Sequence, residues 1–266
     1  GVIEGINNFK GIEKKKQFDK EFTDWVLKSR QRGAYVSLIK DFGKVYEEYE
    51  PYRLATTYLS ETALQIEILT FAANFNKLSQ VTKETPQEEI DKLIANAKEA
   101  TKVFFKDYYQ PIDEEVAAMV LQEYINNQPA DFRPELLNTI VEKYSDVQAY
   151  VDELFSKTIF TSEENVNKFL DEFKPSKAKK LAKDPALMAY NNVMDFYIDN
   201  VRSKTIELGS QIADMQRVFM RGQMEYHAER NPEKMIYPDA NFTLRVTYRS
   251  EERRVGEECT AECRSR

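Results

Sequence analysis

The sequence predicts a mainly α chain: a multi-helix domain with one long C-terminal helix, followed by a lone β-strand. Three observations carry this. No glycine occurs between Gly43 and Gly209, which removes from that span the commonest residue of tight turns and bulges. Apolar residues there recur at steps of three and four, the period of a helix with a buried face. Only at Phe242, Leu244, Val246 and Tyr248, alternating with Thr243, Arg245 and Thr247, does the period fall to that of a half-buried strand. A single strand has no ladder partner, and even an isolated hairpin is marginal in water. The strand is therefore expected to enter a β domain that this chain does not contain.

Taken in order, the opening forms helix weakly because Gly1, Gly5 and Gly11 interrupt it. Phe18, Phe22, Trp25 and Val26 then fall at helical spacing until Gly33 breaks the segment. A second segment runs from Tyr35 through Leu38, Phe42, Val45 and Tyr46 to Tyr49, and Pro51 is expected to stop it. A third, longer one carries Leu54, Tyr58, Leu64, Ile68, Phe71 and Phe75 on more than one face, as a helix between neighbours does. Thr85-Pro86-Gln87-Glu88 predicts a capping box, with Thr85 as cap, Pro86 first in the helix and Glu88 returning a bond. That helix carries Ile90, Leu93, Ile94, Ala97 and Phe104. Asp113 is expected to cap the next one, with Glu114 and Glu115 near its positive end. Pro129 and Pro134 mark a connection, and Thr161-Ser162-Glu163-Glu164 is a second capping-box candidate.

Asp184-Pro185 opens the longest periodic stretch. Leu187, Met194, Val201, Leu208 and Met215 share one heptad position, with Ile198, Ile212 and Phe219 on an adjacent row. Unbroken to Arg230, this helix would be roughly 70 Å long at about 1.5 Å per residue. Lys204, Gln211 and Gly222 interrupt the second row, so a spine packed by shorter helices is expected rather than a regular coiled coil. Asn231-Pro232 ends it.

Composition excludes several classes. Hydrophobic content of 42% beside 31% charged residues is globular rather than disordered. The net charge is −7, and residues 249–266 hold five basic and five acidic side chains, so the charge belongs to residues 1–248. Such a chain, with Lys14-Lys15-Lys16 as its densest basic run, is poorly suited to nucleic acid. That run is read as a solvated helix face. Apolar runs are too short for a membrane span. Both cysteines, Cys259 and Cys263, lie in the last eight residues, so no disulfide framework or cysteine zinc site is expected.

Few residues suggest chemistry. His227 is the chain's one histidine; it has no recognisable nucleophile context and suits the negative end of a helix. The acidic groups Glu88-Glu89/Asp91 and Asp113-Glu114-Glu115 lie at helix starts, where carboxylates need no metal, and Glu47-Glu48/Glu50 reads as solvated. No Glu-x-x-His pair and no glycine-rich phosphate cradle occur, so no metal or cofactor is expected. Phe104-Phe105 and Tyr108-Tyr109 could stack on bases but read as core and rim of a packing face. Asn241-Phe242-Thr243 fits a glycosylation acceptor by pattern and is read as structural.

The stretch Tyr237 to Tyr248, Tyr-Pro-Asp-Ala-Asn-Phe-Thr-Leu-Arg-Val-Thr-Tyr, resembles the segment by which the bacterial dipeptidyl-peptidases 7 and 11 return from an inserted helical domain to chymotrypsin-like β-barrels. Val2-Ile3-Glu4-Gly5-Ile6, Lys14 to Val26, Thr161 to Glu164 and Lys183 to Ala186 resemble the same family's helical insertion. The resemblance implies serine peptidases that release dipeptides from peptide amino termini with Ser, His and Asp. It places the His and Asp upstream of the helical insertion and the Ser downstream of the returning strand. His227 does not match the catalytic His, and the asparagine that anchors the substrate's amino group precedes Gly1. The expected catalytic, cofactor-binding and metal-binding residues in this chain are therefore none.

The resulting expectation is a helical cap domain over 1–230, a linker and returning strand over 231–248, and a non-native tail over 249–266. Residues 249–266 resemble the translation of a sequencing adaptor. The cap would gate the cleft of a periplasmic or secreted enzyme without itself cleaving. The implied partners are peptide substrates and the remaining barrels, with a homodimer left open and no nucleic acid. A free-standing helical interaction module is the alternative.

Overall fold

Helix is the only regular structure among the described residues, which the computed structural model gives as 8–233. The expected strand and the 249–266 tail lie outside them. In chain order come α1 (Gly11–Leu27), α2 (Leu38–Glu61), α3 (Glu67–Ala72), α4 (Asn76–Ser79), α5 (Gln87–Phe104) and α6 (Gln110–Asn127). Then follow α7 (Glu135–Lys143), α8 (Val147–Lys157), α9 (Glu163–Asp171), α10 (Ala178–Leu181), α11 (Pro185–Phe196) and α12 (Ser203–Arg230). A π turn, Tyr197–Arg202, joins α11 to α12, and short 3-10 turns include Ala63–Gln65 and Ala130–Phe132. Residues up to Met220 make one unit and those from Arg221 another.

The core of the first unit is centred on α3. This short helix packs on α11 and α5, while α6 pairs with α8, α9 with α5 and α7 with α11. Ile68, Phe75, Leu187 and Val166 are fully buried here. Each such side chain stabilises the fold by about 1.5–3 kcal/mol relative to exposure. A second apolar region lies outside this cluster, where α2 runs antiparallel to α12. Tyr46 accepts from Gln216 Nε2 at 3.4 Å, Phe42 meets Phe219 edge-on at 5.9 Å, and Phe18 and Phe22 of α1 close on Phe219 at 6.3 and 5.4 Å.

Several boundaries differ from the sequence reading, each for a physical reason. Pro51 does not end its helix; α2 runs through it to Glu61. Proline removes one N–H, and both Pro51 and Glu47, whose carbonyl loses its partner, are exposed. The helix expected from Leu54 to Phe75 instead breaks at Thr62, and Ile66 is extended before α3 restarts. Thr85 does not cap α5: its hydroxyl accepts from Thr82 N at 3.0 Å, and the helix begins one residue after Pro86. Ser162, not Thr161, caps α9, accepting from Asn165 N at 3.3 Å.

The long spine is helical from Pro185 to Arg230 but not uniformly α. Buried or half-buried positions run Val193, Tyr197, Val201, Thr205, then Leu208, Ile212, Met215 and Phe219. The first three steps are all of four residues, which would swing an α-helical stripe by about 120°. A π turn holds more residues per turn, so the turn at Tyr197–Arg202 takes up that drift. Ile198, expected on the same row as Ile212 and Phe219, is 45% exposed as a result.

Candidate functional site

The least expected chemistry is two buried carboxylates. Asp113 does not cap its own helix: α6 starts at Gln110 without a side-chain cap, and Asp113 lies within its first turn. Its Oδ1 accepts from Glu67 N at 2.7 Å, and its Oδ2 from Ile68 N at 3.0 Å and the Tyr108 hydroxyl at 3.4 Å. It therefore caps α3 from 45 residues away, where the chain had to break. Burial raises its pKa against the lowering effect of the two N–H bonds. Burial, then the nearby Asp113 charge, also pushes the Tyr108 phenol well up.

Asp184 repeats the device. It caps α11, which starts where the sequence predicts, accepting from Ala186 N at 2.9 Å, and also accepts from the Thr158 hydroxyl at 2.7 Å and Ile159 N at 2.9 Å. One carboxylate thus ties the end of α8 to the start of α11. Burial again raises its pKa, opposed by these bonds. Both aspartates are engaged on every oxygen, which makes them clamps rather than proton-transfer groups.

The remaining candidates are placed as follows. Phe104, Phe105 and Tyr108 are half-buried in a ring cluster with Phe71, whose ring stacks on Phe104 at 4.0 Å; Tyr109 stays 62% exposed. They are packing, as their spacing implied. In the second unit, His227 is half-buried in the last turn of α12 and meets Tyr226 edge-on at 5.3 Å, with Arg230 4.6 Å over the Tyr226 ring. Glu88 and Glu89 are exposed on the first turn of α5 and Asp91 just beyond it, and Lys14 to Lys16 are exposed on α1. Glu47 and Glu48 are exposed in the middle of α2 rather than near its end, and Glu50 pairs with Arg53 Nε at 2.8 Å. Among the described residues no group of three or more His, Cys, Asp or Glu could hold a metal ion, and no helix is long and apolar enough to cross a membrane.

What the surface does offer is concave. A cleft of about 710 Å³ lies beside α10, lined by Ile159, Phe169 and Leu181 and rimmed by Lys157, Lys179, Lys180 and Lys183. No three of its lysines are consecutive, so they form no basic run, yet Lys174 to Lys183 holds five lysines in ten residues. Two smaller hollows, of about 530 and 460 Å³, lie between α3 and α5 and between α7 and α11. α6 also leaves Ile112 and Met119 exposed seven residues apart, with Tyr109 exposed just before its start.

The comparisons agree with this architecture. The chain matches the family described as Peptidase S46 over residues 1–250. It is 28% identical over 250 residues to an Asp/Glu-specific dipeptidyl-peptidase of Flavobacterium psychrophilum, covering 93% of this chain and 34% of that protein. It is 29% identical over 251 residues to a dipeptidyl-peptidase 7 of Phocaeicola vulgatus, covering 93% and 34%. The chain thus spans about a third of the length of the curated relatives it matches. In fold it is similar to a crystal structure of Porphyromonas endodontalis DPP11 in alternate conformation, with TM-score 0.56 and 20% identity over 80% of this chain and 31% of the other.

Proposed function

From a chain that belongs to the peptidase S46 family, we propose the helical domain of a bacterial serine-type dipeptidyl-peptidase that releases dipeptides from peptide amino termini. Residues 1–230 are the cap, 231–248 the return to a catalytic barrel, and 249–266 a non-native tail. The cap covers the cleft and limits substrate access at the amino end, and catalysis belongs to Ser, His and Asp outside this chain. Positioning of this kind accelerates a reaction only beside the reacting groups. No residue here is assigned to catalysis, a cofactor or a metal. The substrates are peptides, and the enzyme is periplasmic or secreted.

One observation carries the reading most: an all-helical set of described residues that matches about a third of a much longer peptidase. Sequencing outward from both ends of the reading frame tests it. His and Asp motifs upstream, with a Gly-Asn-Ser-Gly type segment downstream, are the expected result. A start codon just before Gly1 would favour the second reading, a free-standing interaction module. The exposed Tyr109, Ile112 and Met119 stripe supports that reading.

A further inference from the structure

The cleft beside α10 has a chemistry that the cap reading does not use. Lys179 and Lys180 lie on α10, and Lys183 follows within a turn closed by bonds from Ala182 N to Ala178 O and from Lys183 N to Lys180 O. Residues three and four apart share one face of such a turn, so Lys183 is a neighbour of both Lys180 and Lys179, and all three line the cleft. Lys157 also reaches the rim, already paired with Glu153.

The acidic groups around it are already engaged. Glu153 takes Lys157 at 2.6 Å, Glu172 takes Lys177 at 2.8 Å, and Asp171 takes Lys98 at 2.5 Å. Asp184, at the cleft floor, accepts three hydrogen bonds. Lys174, Lys179, Lys180 and Lys183 are exposed and have no acidic partner among the described residues. In a chain of net charge −7, this is a local reversal of sign with an apolar base beneath it. Its volume of about 710 Å³ suits a few residues of a ligand.

We propose that the α10 cleft binds an acidic peptide segment, with Ile159 and Phe169 holding an apolar side chain and Lys179, Lys180 and Lys183 taking the flanking carboxylates. A long polyanion or a flat anionic membrane would have to extend past the cleft over a chain of net charge −7, whereas a short peptide stays within the lysine rim. The proposal does not rest on the peptidase reading, because it is tested by binding rather than turnover.

The test is fluorescence anisotropy of the purified chain with a labelled peptide of four glutamates around one phenylalanine. Saturable, salt-sensitive binding is expected. Three surface ion pairs of ordinary strength amount to about a tenfold loss of affinity in Lys179→Ser/Lys180→Ser/Lys183→Ser. The corresponding triple arginine variant should restore binding. Serine at Lys14, Lys15 and Lys16 should leave it unchanged. Circular dichroism checks that each variant stays helical, and the arginine variant keeps the question decidable if the serine variant unfolds. The proposal is overturned by absence of binding, by equal binding of the glutamine version of the peptide, or by an equal loss in the Lys14 to Lys16 variant. Capture by phosphatidylserine vesicles without peptide binding overturns it too.

Discussion

The interior around α3 and α11 and the seam between α1, α2 and α12 are both apolar, yet they are built differently. In the interior, Phe71 touches Phe75, Phe104, Phe105 and Phe160, and Phe75 and Phe160 are fully buried. Two carboxylates are sealed in at its edges to satisfy helix starts. In the seam Phe22 is fully buried, but Phe18, Phe42 and Phe219 around it are half-buried rings meeting near 6 Å, with Lys15 Nζ 5.4 Å over Phe219. Close packing without water makes the interior intolerant of lost volume, whereas a half-wet seam can lose a ring and stay closed. The difference separates a part that must fold as one from a part that lies along it.

The largest contrast is expected from truncation. Phe75→Ala should cost about 3–5 kcal/mol in urea unfolding. Next comes Asp184→Ala, which leaves two backbone N–H groups and the Thr158 hydroxyl without their acceptor and should cost about 3 kcal/mol. Phe219→Ala, by contrast, should cost about 1–2 kcal/mol, since it removes ring contacts and partial burial only. A loss as large as that at Phe75 would erase the distinction between the two regions. Smallest is Lys98→Ala, which breaks an exposed pair with Asp171 and should cost less than about 1 kcal/mol.

Acidity sharpens the same comparison. Burial raises the Asp113 and Asp184 pKa values above those of the unfolded chain. The stability tied to their protonated forms is therefore complete below the ordinary carboxylate range and is lost as pH rises through the raised folded values. Exposed Glu50, Glu153 and Glu172 are shifted the opposite way by their cationic partners, so the informative quantity is a difference between parent and variant. Relative to Asp184→Asn, the parent should gain stability on going from about pH 7 to about pH 4. A difference that stays flat, or that moves the other way, would show that the hydrogen bonds to Asp184 match or outweigh its burial.

How much was legible in the sequence follows from where each signal lives. The helical class was readable because glycine is absent over a long span and the apolar period is local. Asp184-Pro185 was readable as a start because cap and helix are adjacent in sequence. The break at Thr62 was not, because its cause is Asp113, a residue far along the chain. The drift of Ile198 out of its row was not, because a π turn leaves no composition cue. Periodicity says nothing about catalytic residues; the expectation of none rests on the family resemblance. The lysine cleft leaves no consecutive basic run because a turn gathers its charges, and its one local trace is five lysines within residues 174–183.

The proposed function has one most direct test: turnover of dipeptidyl reporters, with acidic and with hydrophobic second residues, by the purified chain. No release above the buffer rate is expected, because a cap positions peptides for groups it does not carry. Release that saturates with reporter and persists through repeated purification would contradict the account and place catalytic chemistry within these residues.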